Sequence, residues 1–343
     1  MRTQGKGQRN SVETEMKHQA MLEGAPKGQS QLPQPSSILI RWTPFGTLTQ
    51  GHAGDGRQKP NMGGIFHHES GNSAILLLIC NDRQLQTPMY YFLSHLSIMD
   101  ISYSTVTMHK TLATYVSGDA SVSRSACFAQ MYFYVSLLCC EFVLLAAMSY
   151  DRYVAVCNPL RYVMIMNTKV CSALTSVSWV FGLSKAAPAV YIIYDIHCFK
   201  SNEINHFFCD LLVIMKLFCY KAYKMQHLIF VESIFIGFLP LTLTLTSYVF
   251  IIRTILMIRS STGRRKTFYT CSSHITVVCL LYVTLFCVYF RPTSSYMTET
   301  EKLFTLFYTT LTPMLNPLIY SLKNKDMKMA FKRLIKKNSK VLL

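Results

Sequence analysis

Asp100, Glu141, Asp151, Arg152 and Lys185 sit inside or at the rim of apolar runs, where an ionisable side chain is costly and tends to find a partner. Asp100 and Glu141 fall midway along two consecutive hydrophobic stretches. Two carboxylates at that depth on neighbouring helices have two chemistries open to them. They hold a monovalent cation between them, or one is protonated and hydrogen-bonded to the other. Asp151 and Arg152 follow the apolar run "FVLLAAM" inside "MSYDRYVAVC", residues 148–157. A lone arginine there would be expected to snorkel to the headgroups, and the acid beside it raises the question of why a charged pair stands where the run leaves lipid. Glu141 and Arg152 are about three helical turns apart, which puts them on one face of their helix.

The elements that carry these residues belong to a membrane. Half of the sequence is hydrophobic and only 15% is charged, against about a quarter charged in an ordinary soluble domain. A net charge of +17 raises the question of nucleic acid, but the basic residues lie in short connections between apolar runs and at the C-terminal end, which is a membrane pattern. No nucleic-acid partner is expected. The 12 cysteines show no repeated CxxC spacing, so a zinc framework is not expected and no cofactor is implied. Without HExxH, GxxxxGK[ST], GxSxG or a dinucleotide fingerprint, an enzyme has no support. A polytopic transporter would bring internal repeats or paired broken helices, and the sequence has no such symmetry.

Spans of roughly 20 apolar residues are expected at 89–112, 127–150, 170–193, 227–252, 270–290 and 303–322. Before them "SAILLLIC", residues 73–80, supplies only part of a further span, expected as a partial helix over 71–80. Residues 1–70 are rich in Gly, Gln, Ser, Pro and Lys and are expected to be disordered, with no signal peptide. The resulting division is an atypical N-terminal segment 1–70, a bundle 71–322 and a basic tail 323–343. Arg83, the Arg152/Arg161/Lys169 stretch, "RRK" at 264–266 and the tail fall in alternate connections, which places them in the cytoplasm. The connections 113–126, 194–226 and 291–302 then face outside. Cys198, Cys209 and Cys219 lie in the long outer loop and Cys127 opens a span. A Cys127–Cys209 bridge would pin that loop over the bundle mouth, with a second bridge open to Cys198 and Cys219. Spacing does not fix the connectivity.

From Gly71 to Leu334 the sequence resembles a vertebrate olfactory receptor, a rhodopsin-like (class A) G-protein-coupled receptor. The resemblance rests on "GN" at 71–72, "TPMYYFLSHLSIMD" at 87–100, "MSYDRYVAVCNPLRY" at 148–162, "SY" at 247–248, "KTFYTCSSH" at 266–274 and "PMLNPLIYSLKNKDMKMAF" at 313–331, in that order. It implies an all-α fold of seven transmembrane helices, with the first truncated or atypical in this chain. It also implies a multi-pass protein of the cell membrane that binds a small odorant. A heterotrimeric G protein of the olfactory stimulatory type would be its partner, and cyclic AMP its output. In such receptors Asp151 would restrain Arg152 at rest. On activation Arg152, beside Tyr153, would swing toward Tyr248 and Tyr320 as the sixth helix, carrying His274, moves out.

Pro240 and Pro317 each remove a helical hydrogen bond, and "NPLIY" sets Asn316 and Tyr320 on one face. Cys271, His274, Val278, Tyr282, Leu285 and Tyr289 form a stripe at spacings of three and four. Such a stripe is usually packing; by resemblance its outer part, Tyr282, Leu285 and Tyr289, lines the odorant cavity, with Tyr282 sensing the ligand. Tyr134, Val135, Leu138 and Cys139, then Glu232, Ser233 and Ile236, and finally Thr309 would complete the wall. The result is a largely apolar small-molecule site, and Glu232 is expected in a wet vestibule. Asp100 and Glu141 remain candidates for sodium.

Three features depart from the family pattern. Lys185 lies within the fourth span, no N-x-Ser/Thr acceptor occurs in the first 80 residues, and "NMGGIFHHES" stands where the outer half of the first helix belongs. That last feature leads to an expectation of poor delivery to the cell surface, and to an alternative in which the chain is a non-functional product of the family.

Overall fold

The computed structural model describes residues 39–42, 62–117, 119, 121–194, 201, 203–204, 206, 208–217, 223–289, 309, 312–323 and 325–341. Helices dominate them. Besides the short helices Tyr162–Ile165 and Leu211–Lys216, they are in chain order α1 (Met62–Asn81), α2 (Pro88–Ser117), α3 (Arg124–Cys157), α4 (Thr168–Tyr194), α5 (Tyr223–Met257), α6 (Ser261–Tyr289), α7 (Thr312–Lys323) and α8 (Lys325–Val341). Among the described residues four helical stretches are long and apolar enough to cross a bilayer: α3, α4, Ile234–Met257 of α5 and Ser261–Cys287 of α6.

The first helix corrects one expectation. Composition places residues 62–70 in a disordered tail, yet the helical backbone runs from Met62 to Asn81 over 20 residues, about 30 Å at 1.5 Å per residue. Its apolar part is nonetheless short, Ser70–Asn81, so the helix is atypical in composition rather than in backbone length. Extending an existing helix adds one hydrogen bond per residue, which carries it through "GGIFHHES" despite the glycines. Helices α2 to α5 run beyond the expected lipid-crossing stretches at both ends, because helix ends are set by caps and not by the membrane, while most of the expected stretch 303–311 lies outside the described residues. At the start of α3 the Ser123 hydroxyl accepts from the Ala126 N–H at 3.3 Å, and at its end the Asn158 N–H reaches the Val154 carbonyl at 2.9 Å. Asp151 and Arg152 therefore lie within α3. Proline stands inside α4, α5 and α7 at Pro188, Pro240 and Pro317.

The core is built around α3, whose Met131, Tyr134, Leu144 and Leu145 are almost wholly buried. It packs on α2, α4, α5 and α6, as a helix apolar on most of its faces must. The approach to α4 is closest at Gly182. A Cβ there would overlap Cys140 Sγ and lie 2.5 Å from the Ser136 carbonyl oxygen and 2.8 Å from Cys140 N. Only glycine fits, since backbone atoms cannot swing aside. Gly182→Ala is expected to destabilise the bundle by about 1–3 kcal/mol through overpacking. A lowered midpoint in thermal unfolding of the detergent-purified protein checks this; an unchanged midpoint would show that α3 and α4 part freely.

On the outer side a small sheet has strand order β2-β1-β3. Strand β1 (Leu39–Trp42) pairs antiparallel with β2 (Ser121–Ser123), Ile40 opposite Val122. It pairs parallel with β3 (Glu203–Ile204), Arg41 beside Glu203. A stretch expected to be disordered thus contributes a strand, because two loops held at their ends offer it two edges. At the end of α1, Asp82 caps the turn at 83–85 by accepting from the Gln84 N–H at 3.0 Å, and it accepts from Arg333 Nε of α8 at 2.8 Å. These two donors hold its carboxyl below the usual carboxylate range. The basic tail is helical, and Met327 and Ala330 seat it on the bundle.

Candidate functional site

Three groups of side chains lie along the bundle. The first is the acid-Arg pair. Arg152 donates from Nε to Asp151 Oδ2 at 2.9 Å, and its Nη2 forms an ion pair with the same oxygen. The other oxygen, Asp151 Oδ1, accepts from the Tyr162 hydroxyl at 2.8 Å. Asp151 is 1% and Arg152 9% exposed, so the arginine is enclosed and does not snorkel. Tyr162 sits in the single helical turn Tyr162–Ile165 that comes after α3. Burial and the Asp151 carboxylate beside it push its hydroxyl pKa up, which keeps the phenol protonated as a donor. Sequence reasoning places Tyr162 at the end of a motif and assigns it no part; its spacing from Asp151 gives no signal, because a non-helical corner lies between them. Tyr153 is half-buried, its ring 5.9 Å from Phe250 of α5.

Tyr248 is turned to α6. Its hydroxyl lies 2.8 Å from His274 Nδ1 and 3.1 Å from the Cys271 carbonyl, and the two rings stack at 5.8 Å. His274 Nε2 is 3.1 Å from the Leu145 carbonyl of α3. A carbonyl only accepts, so Nε2 donates to Leu145, and the single proton of the Tyr248 hydroxyl is shared between the Cys271 carbonyl and His274 Nδ1. His274 therefore ties α3, α5 and α6 through two bonds that cannot survive separation of those helices. The helical backbone includes Tyr320, but its side chain lies outside the described residues.

The second cluster is at mid-depth. Asn316 donates from Nδ2 to both Asp100 oxygens, at 3.2 and 3.0 Å. Asp100 and Glu141 line one small cavity with Met99, Tyr103, Leu137, Thr312 and Pro313, so the two acids do share a space. The partner that bonds Asp100 is Asn316, however, rather than Glu141. Glu141 Oε1 and Asn316 Oδ1 are buried without a hydrogen-bond partner among the described residues. An all-oxygen donor set suits a hard cation such as sodium and not a transition metal.

Asn72, which enters the sequence reading only as part of "GN", belongs to the same layer. Pro317 has no N–H for the carbonyl four residues back, and that carbonyl, Pro313 O, accepts from Asn72 Nδ2 at 3.1 Å. A Cβ on Gly71 would meet the Pro317 ring at 3.4 Å. The "GN" pair is thus shaped to the proline of α7.

The third cluster is the candidate ligand wall. Tyr134, Leu138, Cys139, Leu285 and Thr309 are buried, and Val135, Ile236 and Tyr282 are half-buried. Tyr282 donates to the Gly237 carbonyl at 3.1 Å and its ring lies 5.2 Å from Phe142, linking α6, α5 and α3. Glu232 is exposed, as is Lys185 on the outer face of α4. The side chains of Ser233 and Tyr289 lie outside the described residues. Tyr134 faces Tyr103 at 5.2 Å and Phe208 of the outer loop at 4.8 Å. The small cavity at Asp100 and Glu141 touches none of the expected wall residues; it lies beside them, with Tyr103 lining it and packing on Tyr134.

Above this wall Cys127 and Cys209 are joined in a disulfide. Gln130, another residue to which the sequence reading gives no role, accepts from the Cys209 N–H at 3.0 Å and donates to the Val106 carbonyl of α2 at 2.7 Å. Cys198 and Cys219 lie outside the described residues. Arg124 donates to the Tyr194 carbonyl and stands over the Phe128 and Tyr194 rings, fastening the outer ends of α3 and α4.

Comparison with known proteins bears on this arrangement. The family model described as olfactory receptor matches residues 67–338. The chain is similar to human olfactory receptor 11L1, 43% identical over 272 residues that cover 79% of this chain and 84% of that protein. It is 44% identical to human olfactory receptor 2F1 over 269 residues, 78% of this chain and 85% of the relative. Mouse olfactory receptor 5AR1 is 43% identical over 267 residues, 78% and 86% of the two chains.

Proposed function

The chain belongs to the olfactory receptor family of seven-helix membrane receptors, and on that premise we propose that it turns the binding of a small odorant into activation of a stimulatory G protein. The odorant would sit in the outer half of the bundle against Tyr134, Val135, Leu138, Cys139, Ile236, Tyr282, Leu285 and Thr309, with Ser233 and Tyr289 near and Glu232 at the rim. The partner would be a heterotrimeric G protein of the olfactory stimulatory type, with cyclic AMP as the output, at the plasma membrane.

The observation that carries this reading is a pair of attachments, both of which would have to break for Arg152 to reach Tyr248. Arg152 is held by Asp151, and Tyr248 is held by His274 on α6. Tilting α6 through Tyr282 would pull His274 from Leu145 and Tyr248 together. Tyr248 would then be free to receive Arg152, beside Tyr320 and above the Asn316–Pro317 bend, and a cleft would open for the G protein. That is a two-state element biased by ligand. Sodium between Asp100 and Glu141 would favour the resting arrangement by tying α2 and α3.

In cells expressing the unmodified chain, surface labelling together with a panel of odorants should give surface receptor and odorant-dependent cyclic AMP. Labelled receptor with no response to any odorant, when a family receptor run alongside responds, would overturn the proposal. Absence of labelling would favour the alternative of a family product that is not delivered.

Tyr162 offers a separate check. Hydrogen bonds to charged groups contribute roughly 1.5–3 kcal/mol, so Tyr162→Phe should loosen Asp151 and raise ligand-independent cyclic AMP per surface receptor several-fold. An unchanged basal level would remove Tyr162 from the restraint.

A further inference from the structure

Strand β1 is the middle strand of its sheet, and its two neighbours come from different outer connections. On one side β2 leads directly into α3, and Ser123, its last residue, is also the cap of that helix. On the other side β3 opens the stretch that ends at Cys209. Both edges of β1 are therefore used, and each loop finds in it the pairing that an open strand edge otherwise lacks.

The stretch from β3 to Cys209 turns into the bundle. Ile204, His206 and Phe208 are almost completely buried. The Phe208 ring lies 4.8 Å from Tyr134, which in turn faces Tyr103. Among the described contacts, the segment carrying Phe208 is held at Cys209 by the disulfide and by Gln130, and before it at Glu203–Ile204 by β1. The first hold is covalent. The second is a ladder of a few backbone bonds, the kind of structure that opens locally at small free energy.

We propose that Leu39–Trp42 is an intramolecular strap that keeps Phe208 seated on Tyr134, and that its opening admits larger odorants to the cavity. The gating half rests on the odorant reading under Proposed function; the strap itself does not. The chain carries its own selectivity element ahead of its first helix, acting through the outer loop and not through direct contact with ligand.

The test uses the full-length receptor in lipid nanodiscs and two variants: Ile40→Pro, which removes a ladder N–H, and a chain in which residues 39–42 are replaced by alternating glycine and serine. Amide exchange over 203–210 should rise about tenfold or more in both, as local opening becomes cheaper, while α3 amides exchange as in wild type. Unchanged exchange over 203–210 would overturn the strap, and so would exchange raised throughout α3, which would make the strand a general support of the fold. In cells, potency should rise at least threefold for the bulkiest active odorants and stay level for the smallest. Raised exchange with unaltered potency would overturn the gating half and leave the strap. Raised exchange in a receptor that answers no odorant would sink the odorant reading together with the gating half, again leaving the strap.

Discussion

Arg152→Ala should lose more than about nine-tenths of odorant-evoked cyclic AMP per surface receptor, the largest effect expected of any single side chain here. Arg152 makes two contacts with Asp151 in the resting arrangement and is the group proposed to move to Tyr248 and Tyr320. Alanine removes both the resting pair and the active one. Because Arg152 is enclosed, its loss also carries a stability cost, as breaking a buried pair does. Asp151 keeps its bond to Tyr162, which limits that cost, so surface labelling should fall far less than signalling. Arg152→Lys should fail as well, since a point ammonium cannot reproduce the planar fork. Full signalling by either variant would show that the guanidinium is no switch.

Cys127→Ser and Cys209→Ser should each remove nearly all surface receptor, to the same extent, and the double variant should be no worse than either. The bridge closes a sequence separation of 82 residues, for which chain entropy alone gives about 4–5 kcal/mol. Each single substitution breaks the same bond, so their effects cannot add. The loss reaches past the loop, because the Cys209 N–H bonded to Gln130 and the Phe208 ring on Tyr134 are placed by the same anchor. Additive losses would mean that the two thiols act separately.

Helices α3 to α6 are legible in the sequence because each holds an apolar run of membrane length, and hydrophobic length is a local property. The contact between Asp151 and Arg152 is legible for a similar reason, its two members being adjacent. Less can be read where partners are far apart. The sequence matches Asp100 with the other buried acid, while its hydrogen-bond donor is Asn316, 216 positions on. Asn72 and Tyr162 gain parts that only the fold confers, one by answering a carbonyl that Pro317 leaves open, the other by a turn of the chain after α3. Composition misjudges residues 62–70, since polar side chains do not stop a helix that is already propagating. Nothing in "LIRW" announces a strand, because its pairing is decided by two distant loop edges and not by its own four residues. The ligand wall stays a proposal, in which Ser233 and Tyr289 have no described side chains and the described cavity lies beside the wall.

The most direct measurement is nucleotide exchange on a purified stimulatory G protein of the olfactory type, with the receptor in lipid nanodiscs and an odorant found active in cells. The wild-type chain should accelerate exchange when odorant is added, and Arg152→Ala, present in equal amount and retaining odorant binding, should not. Odorant-dependent exchange of equal size in both would contradict the switch at Asp151 and Arg152. Odorant binding to the wild type without any acceleration of exchange would contradict the coupling itself.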